Sequence, residues 1–435
     1  MLNAIHVHPH DIRDEGAEQV LEAITRLGKV NTVIAETVAL EERHPYPSGI
    51  LPHNPLRPVV ISRATLEVPL PENVFQGLPF GLLPSPEVRA GNDYLADLRK
   101  AAASRGVSVI PWLKGLNGAF EGDLAEYCVR TLDQEAVPTW LCPAHPEAIE
   151  YVFALMKGVL AAYPSEAVLL DRMRYPDWSG ATVKPERMLT CFCATCRQLM
   201  REDGIRLALL EKGLTRLLDD ARHDPESLLT LGARGPEMTE VQKWLSFRCK
   251  LITHAVSQIK AKMTAFNRKQ GTATRFWLNL WPPSFAGYLG QDYRALGRLC
   301  EGAKHFPYHR LGGGADLKGL LEAVCGPEPR DDREKLFRAL RALLNLPYPL
   351  DFEEFKTGGF PVEFVARETA LAKAAFGGTT PVYSGIQIWD TPLAEIVKAC
   401  EAAQGGQADG YFFYCFGWAG LQALETVGQY LTASR

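Results

Sequence analysis

The 435-residue sequence has no apolar run approaching the roughly 18 to 20 residues that a membrane-spanning helix requires. It has no long run of one charge either: 51 acidic and 47 basic residues are well mixed, for a formal net charge of −4. That pattern leaves no electrostatic footprint for nucleic acid or an anionic membrane, and neutral substrates such as sugars suit the balance best. The opening Met1-Leu2-Asn3-Ala4-Ile5-His6-Val7-His8 has neither the basic start nor the apolar stretch of a signal peptide, so a cytoplasmic location is expected. Cysteine is sparse for a disulfide scaffold. Seven of the ten are scattered singly and read as buried thiols.

The chain is otherwise composed like a soluble globular enzyme, with 46% hydrophobic, 23% charged and 9% aromatic residues. Short apolar runs at 3–9, 31–37, 107–113, 167–174, 275–281, 303–309, 382–389 and 410–416 read as eight strands, most followed by amphipathic helical stretches. Helices are expected at 14–27, at 92–105 with Asn92 as its N-cap, and at 146–163. The strands are apolar on both faces, as parallel strands buried inside and out must be. Their alternation with helices predicts an α/β fold: one (β/α)8 TIM barrel domain over 1–435, with long βα-loop insertions. Residues 38–91 form a Pro- and Gly-rich loop after strand two, and 114–145 and 175–194 follow strands three and four. Residues 195–270 are a helical insertion. Residues 310–360 are a partly helical one with a flexible glycine run at 312–314.

A barrel builds its active site where its strands end, so chemistry is sought there. Strand four ends in Leu170-Asp171-Arg172-Met173-Arg174-Tyr175, and glycosidic cleavage needs two carboxyl groups, one to protonate the leaving oxygen and one as nucleophile or base. Asp171 is the first candidate, weighed against a plain ion pair with Arg172 or Arg174. Asp390 ends strand seven, Asp292 follows strand five and Glu36 ends strand two; each is a candidate partner, although Asp390 and Asp292 could equally cap helices. Trp112, Tyr175, Trp178, Trp281, Trp389, Tyr414 and Trp418 mark strand ends, where flat rings suit the apolar face of a sugar. Lys114, Asn279, His309, Gln387 and the arginines could bond its hydroxyls. Cys191-Phe192-Cys193-Ala194-Thr195-Cys196 has spacing that can wrap a structural zinc ion, with Cys142 or His145 as fourth ligand; three buried thiols pinning a loop is the alternative. His6, His8 and His10 open another route, a metal-dependent hydrolase of the amidohydrolase kind with His309. Strand five carries no histidine and strand eight no aspartate to complete it.

Several segments in order resemble the uncharacterised bacterial glycoside-hydrolase-like TIM-barrel proteins: ILPHNP around His53, DYL at 93–95, RGVSVIPW at 105–112, LCPAHPE at 141–147, LDRMRYP at 170–176, CFCATC at 191–196 and GQDY at 290–293. The resemblance implies a sugar-processing barrel that needs no catalytic cofactor. It places Asp171 centrally and His53 among the substrate-binding residues. Related barrels often carry glutamate where Asp171 stands. A barrel that binds carbohydrate without turning it over is the remaining expectation.

Overall fold

A computed structural model describes residues 2–39, 52–54, 56, 64–178, 183–233, 235–310, 317–326 and 330–434. The expected glycine run at 312–314, and the parts of the 38–91 and 310–360 insertions not in these ranges, lie outside the described residues. Eight parallel strands close into a barrel: β1 (Leu2–Val7), β2 (Thr32–Glu36), β3 (Ser108–Lys114), β4 (Ala167–Asp171), β5 (Arg275–Leu280), β6 (Gly302–His305), β7 (Val382–Gln387) and β8 (Gly410–Tyr414). The order around the barrel follows the chain, and β8 returns to pair with β1. The expected (β/α)8 architecture is therefore present, with every strand where the apolar runs placed it.

The strand ends fall short of the sequence reading, because apolar residues continue into the loops that pack over the barrel. The run at 167–174 stops being strand at Asp171, where Arg172 takes a left-handed φ of 59°. The run at 303–309 stops at His305, so His309 lies four residues beyond its strand. The helix expected at 92–105 spans Tyr94–Ala103, and its cap is Asp93, not Asn92: the Asp93 carboxylate accepts from the Ala96 N–H at 3.0 Å. The 14–27 stretch divides into Pro9–Glu15, Ala17–Glu22 and a wider turn over Ala23–Leu27. The insertion at 114–145 carries the short strands Phe120–Gly122, Cys128–Arg130 and Ala136–Leu141, which its irregular pattern did not announce. The helical excursion after β4 holds Ala194–Glu202, Leu207–His223 and the 36-residue Gly235–Gln270.

Alternation along the strands separates two environments. Ala4, Ile34, Ile110, Leu169, Trp277, Tyr383 and Phe412 point inward and fill the barrel in their own apolar cluster, apart from the larger cluster between strands and helices. On β6 the inward position is Gly302, because a Cβ there would lie 2.9 Å from the Trp277 ring. One inward step further toward the C-terminal mouth, the residue types change abruptly. His6, Glu36, Asp171, Asn279, Lys304 and Tyr414 stand there, and on β3 and β7 Lys114 and Gln387 follow one inward step later, after Trp112 and Gly385. The core ends there and a polar floor begins.

Candidate active site

Asp171 occupies the centre of a network of donors. Its carboxylate accepts from the Trp112 indole N–H at 3.1 Å and the Arg172 backbone N–H at 2.6 Å, and pairs with Arg174 at 3.0 Å and Lys114 at 3.5 Å. Burial would raise its pKa, but Lys114, Arg174 and Arg172 outweigh that, and the group is held well below the usual carboxylate range. Lys114 Nζ also lies 3.0 Å from Glu36, whose other oxygen is 3.2 Å from His8 Nδ1. Two carboxylate oxygens at 3.0 and 3.5 Å from one nitrogen lie within about 6.5 Å of each other. Burial draws the Lys114 ammonium down to about 8, although Glu36 and Asp171 favour its charge. Burial, with Lys114 beside it, also takes His8 down to about 3; His6 falls for the same reason, with Lys304 and Lys114 adding to it. Both imidazoles are neutral at physiological pH. Beyond Asp171, Arg174 and Arg172 share Asp177, at 2.8 and 3.2 Å.

Aromatic rings surround this floor. Trp112 meets His6 edge-on at 4.5 Å between centroids, Trp418 stacks on His8 at 5.7 Å and crosses Trp389 at 5.0 Å, and Tyr308 stacks on Tyr414 at 5.3 Å. On the far side Trp281 lies under Arg174, against Trp178 and Phe306. Several buried polar atoms in this shell make no hydrogen bond: both ring nitrogens of His6, Asn279 Oδ1, and the indole N–H groups of Trp281 and Trp418. Each such atom costs roughly 1–3 kcal/mol if left unmet, a cost that a polar group or water reaching it removes.

Of the residues singled out in the sequence, Asp171, Glu36, Trp112, Lys114, Arg172, Arg174, Trp281, Trp389 and Trp418 thus gather at the mouth. Others are placed elsewhere. Asp292 is exposed and caps Tyr293–Gly297 by accepting from the Ala295 N–H at 3.0 Å. Asp390 is exposed at a left-handed turn, φ 47°, while Pro392 occupies the N-cap of the following helix. Tyr175 turns outward onto Arg248, 4.2 Å from its ring centroid, in the helical excursion. His309 pairs with Glu395 at 3.6 Å, and His53 with Glu15 at 2.9 Å while packing on Phe416. The set needed by the amidohydrolase reading does not converge: among the described residues the four cysteines below form the one group of three or more metal-type ligands. Sequence reasoning passed over Lys304, Tyr308 and Asp177. A lysine inside the apolar run of β6 was the available signal for Lys304.

The cysteine motif does find its fourth member. The sulfurs of Cys142, Cys191, Cys193 and Cys196 are all buried and lie within 4.8 Å of one another, with Cys142 at 3.4 Å from Cys196 and 3.8 Å from Cys193. A tetrahedral ion with metal–sulfur bonds of about 2.3 Å sets its sulfurs ~3.8 Å apart, so the donor set fits one. Backbone N–H groups of Arg130, Cys193 and Cys196 point at the sulfurs of Cys191 and Cys193, as thiolates require. His145 Nε2 stands outside the four, 3.7 Å from Cys193. The cluster joins the insertion after β3 to the one after β4, and the Trp140 indole, two residues from Cys142, donates to the Arg174 carbonyl at 2.8 Å.

No family model matches the chain, and no curated protein matches it by sequence. Among solved structures, it superimposes on the PgaB (BpsB) glycoside hydrolase domain from Bordetella bronchiseptica with a TM-score of 0.55 at 13% identity, covering 95% of this chain and 94% of that one. Beta-galactosidase from the psychrophilic Marinomonas ef1 aligns at a TM-score of 0.50 and 10% identity, over 100% of this chain and 60% of that one. At such identities the likeness is one of fold. It defines the class: a (β/α)8 barrel, shared with one protein named as a glycoside hydrolase domain and one named as a beta-galactosidase, with buried polar and aromatic side chains gathered at the strands' C-terminal ends.

Proposed function

We propose that the chain is a glycoside hydrolase that acts on an oligosaccharide or glycoconjugate in the mouth formed by β1 to β8. The observation that carries this reading is the cluster of buried, unpartnered polar atoms from His6, Asn279, Trp281 and Trp418 among stacked rings, which suits a sugar's hydroxyls and its apolar face. Asp171, ionised at neutral pH, is the nucleophile or the group that steadies positive charge at the anomeric carbon; it is not the proton donor. Glu36 is the second carboxyl. Both carboxylates reach the same Lys114 Nζ, at 3.0 and 3.5 Å, which brings the pair together at the mouth. The Cys142, Cys191, Cys193 and Cys196 set holds a structural zinc ion that ties two active-site loops together.

A second reading has its own support. Four donors already satisfy the Asp171 carboxylate, as in a barrel that binds carbohydrate and does not cleave it. An Asp171→Asn variant separates the two. Under the hydrolase reading it retains the wild-type fold and sugar affinity but loses activity on any glycoside the wild type accepts. Full activity in that variant removes Asp171 from the mechanism, and binding by calorimetry without turnover of a broad glycan panel favours the non-catalytic barrel.

A further inference from the structure

Among the described residues, one basic side chain at the mouth has no carboxylate against it. Lys114, Arg172 and Arg174 are matched by Glu36, Asp171 and Asp177 through the contacts above. Lys304 is a fourth basic side chain, 2% exposed, and no described carboxylate comes within 4.0 Å of it. Its Nζ makes one hydrogen bond, to Tyr308 Oη at 2.8 Å, and otherwise faces rings: Phe306 at 4.7 Å, Tyr308 at 5.1 Å and Tyr414 at 5.8 Å from their centroids. Its register neighbour on β5 is Asn279, with its unpartnered oxygen. A buried amine with room for one more partner beside an unmet acceptor is an incomplete binding site.

We propose that Lys304 and Tyr308 receive the carboxylate of an acidic sugar, with Asn279 accepting a hydroxyl of the same ring. This rests on the sugar-barrel reading and narrows its substrate to uronic-acid-containing glycans. A single ammonium and a phenol match a singly charged group. The even charge of the whole sequence, which points to neutral sugars, is blind to this local surplus.

The electrostatics add a distinguishing consequence. Burial depresses the Lys304 pKa; Asp171 on β4 opposes this, while Lys114 on β3 and Arg174 reinforce it. Burial also keeps the other groups facing it uncharged: it lowers the His6 imidazole and raises the Tyr308 phenol. An arriving carboxylate, like Asp171, favours the ammonium form, so acidic ligands and their neutral counterparts part at Lys304.

The test is calorimetry of the full chain with galacturonate and glucuronate oligosaccharides, using the matching neutral galactose and glucose oligomers as controls. The wild type should prefer the acidic ligands by roughly tenfold to a hundredfold, as one charge-assisted hydrogen bond implies. Lys304→Met should lose the preference, while Lys304→Arg keeps it. Tyr308→Phe, which removes only a hydroxyl, should weaken the preference even if the Met variant folds poorly. Wild-type binding of neutral sugars with no acidic preference overturns this inference and leaves the sugar barrel standing; so does a Lys304→Met variant with its preference intact. Failure to bind either class defeats the sugar barrel itself.

Discussion

Replacing Lys114 by methionine removes a cation that touches both Asp171 and Glu36 while keeping about the same side-chain length. At 3.0 and 3.5 Å each contact is worth roughly 5 kcal/mol before desolvation, for an effective dielectric of about 20. Much of that is offset by the cost of burying the ammonium, and removing one member of such a buried network typically costs about 3–5 kcal/mol, because the surviving charges stay buried without compensation. For a chain of this size that corresponds to a fall in melting temperature of roughly 3–5 °C at pH 7. The sign with pH follows. The two carboxyls lose their cation, their folded pKa values rise, and the stability lost grows as pH increases through those raised values. A Lys114→Met, Glu36→Gln double variant removes a charge of each sign and should recover most of the loss. Denaturant melts at pH 5 and pH 8 measure both effects. A single variant destabilised by less than about 1 kcal/mol, or a double variant no better than the single, would refute the view that Lys114 clamps the two acids.

Two further outcomes follow. Metal analysis of untagged protein should find about one zinc per chain, and Cys142→Ser should lower both zinc content and melting temperature; a metal-free wild type with unchanged stability in the variant rules out the tetrathiolate site. Asp11 is fully buried and accepts from the His8 N–H and from Asn54, yet burial still raises its carboxyl to about 7. A raised acid stabilises the fold at low pH, and that contribution is lost between about pH 4 and pH 7, up to roughly 4 kcal/mol. Asp11→Asn should flatten the fall in stability over that window, and an unaltered pH profile would count against the assignment.

Period and composition alone established the eight strands, since a run such as VSVIPWL can be apolar on both faces only where strands are buried from both sides. They also marked the strand ends as the place for chemistry, and Asp171, Glu36 and Lys114 were legible there. What lay beyond sequence was convergence. Asp292 and Asp390 sit beside strand ends just as Asp171 does, and only the direction of the chain after each strand turned one into a helix cap and left the other exposed at a left-handed turn. The cysteine motif gave three thiols, and folding made Cys142 rather than His145 the fourth group of a set that could hold a metal, by bringing its sulfur to 3.4 Å from Cys196. Lys304 was hidden because a lone lysine in an apolar run gives no sign of which face it takes. Closure of the barrel decided that, by setting it inward, where no described carboxylate comes within 4.0 Å of it.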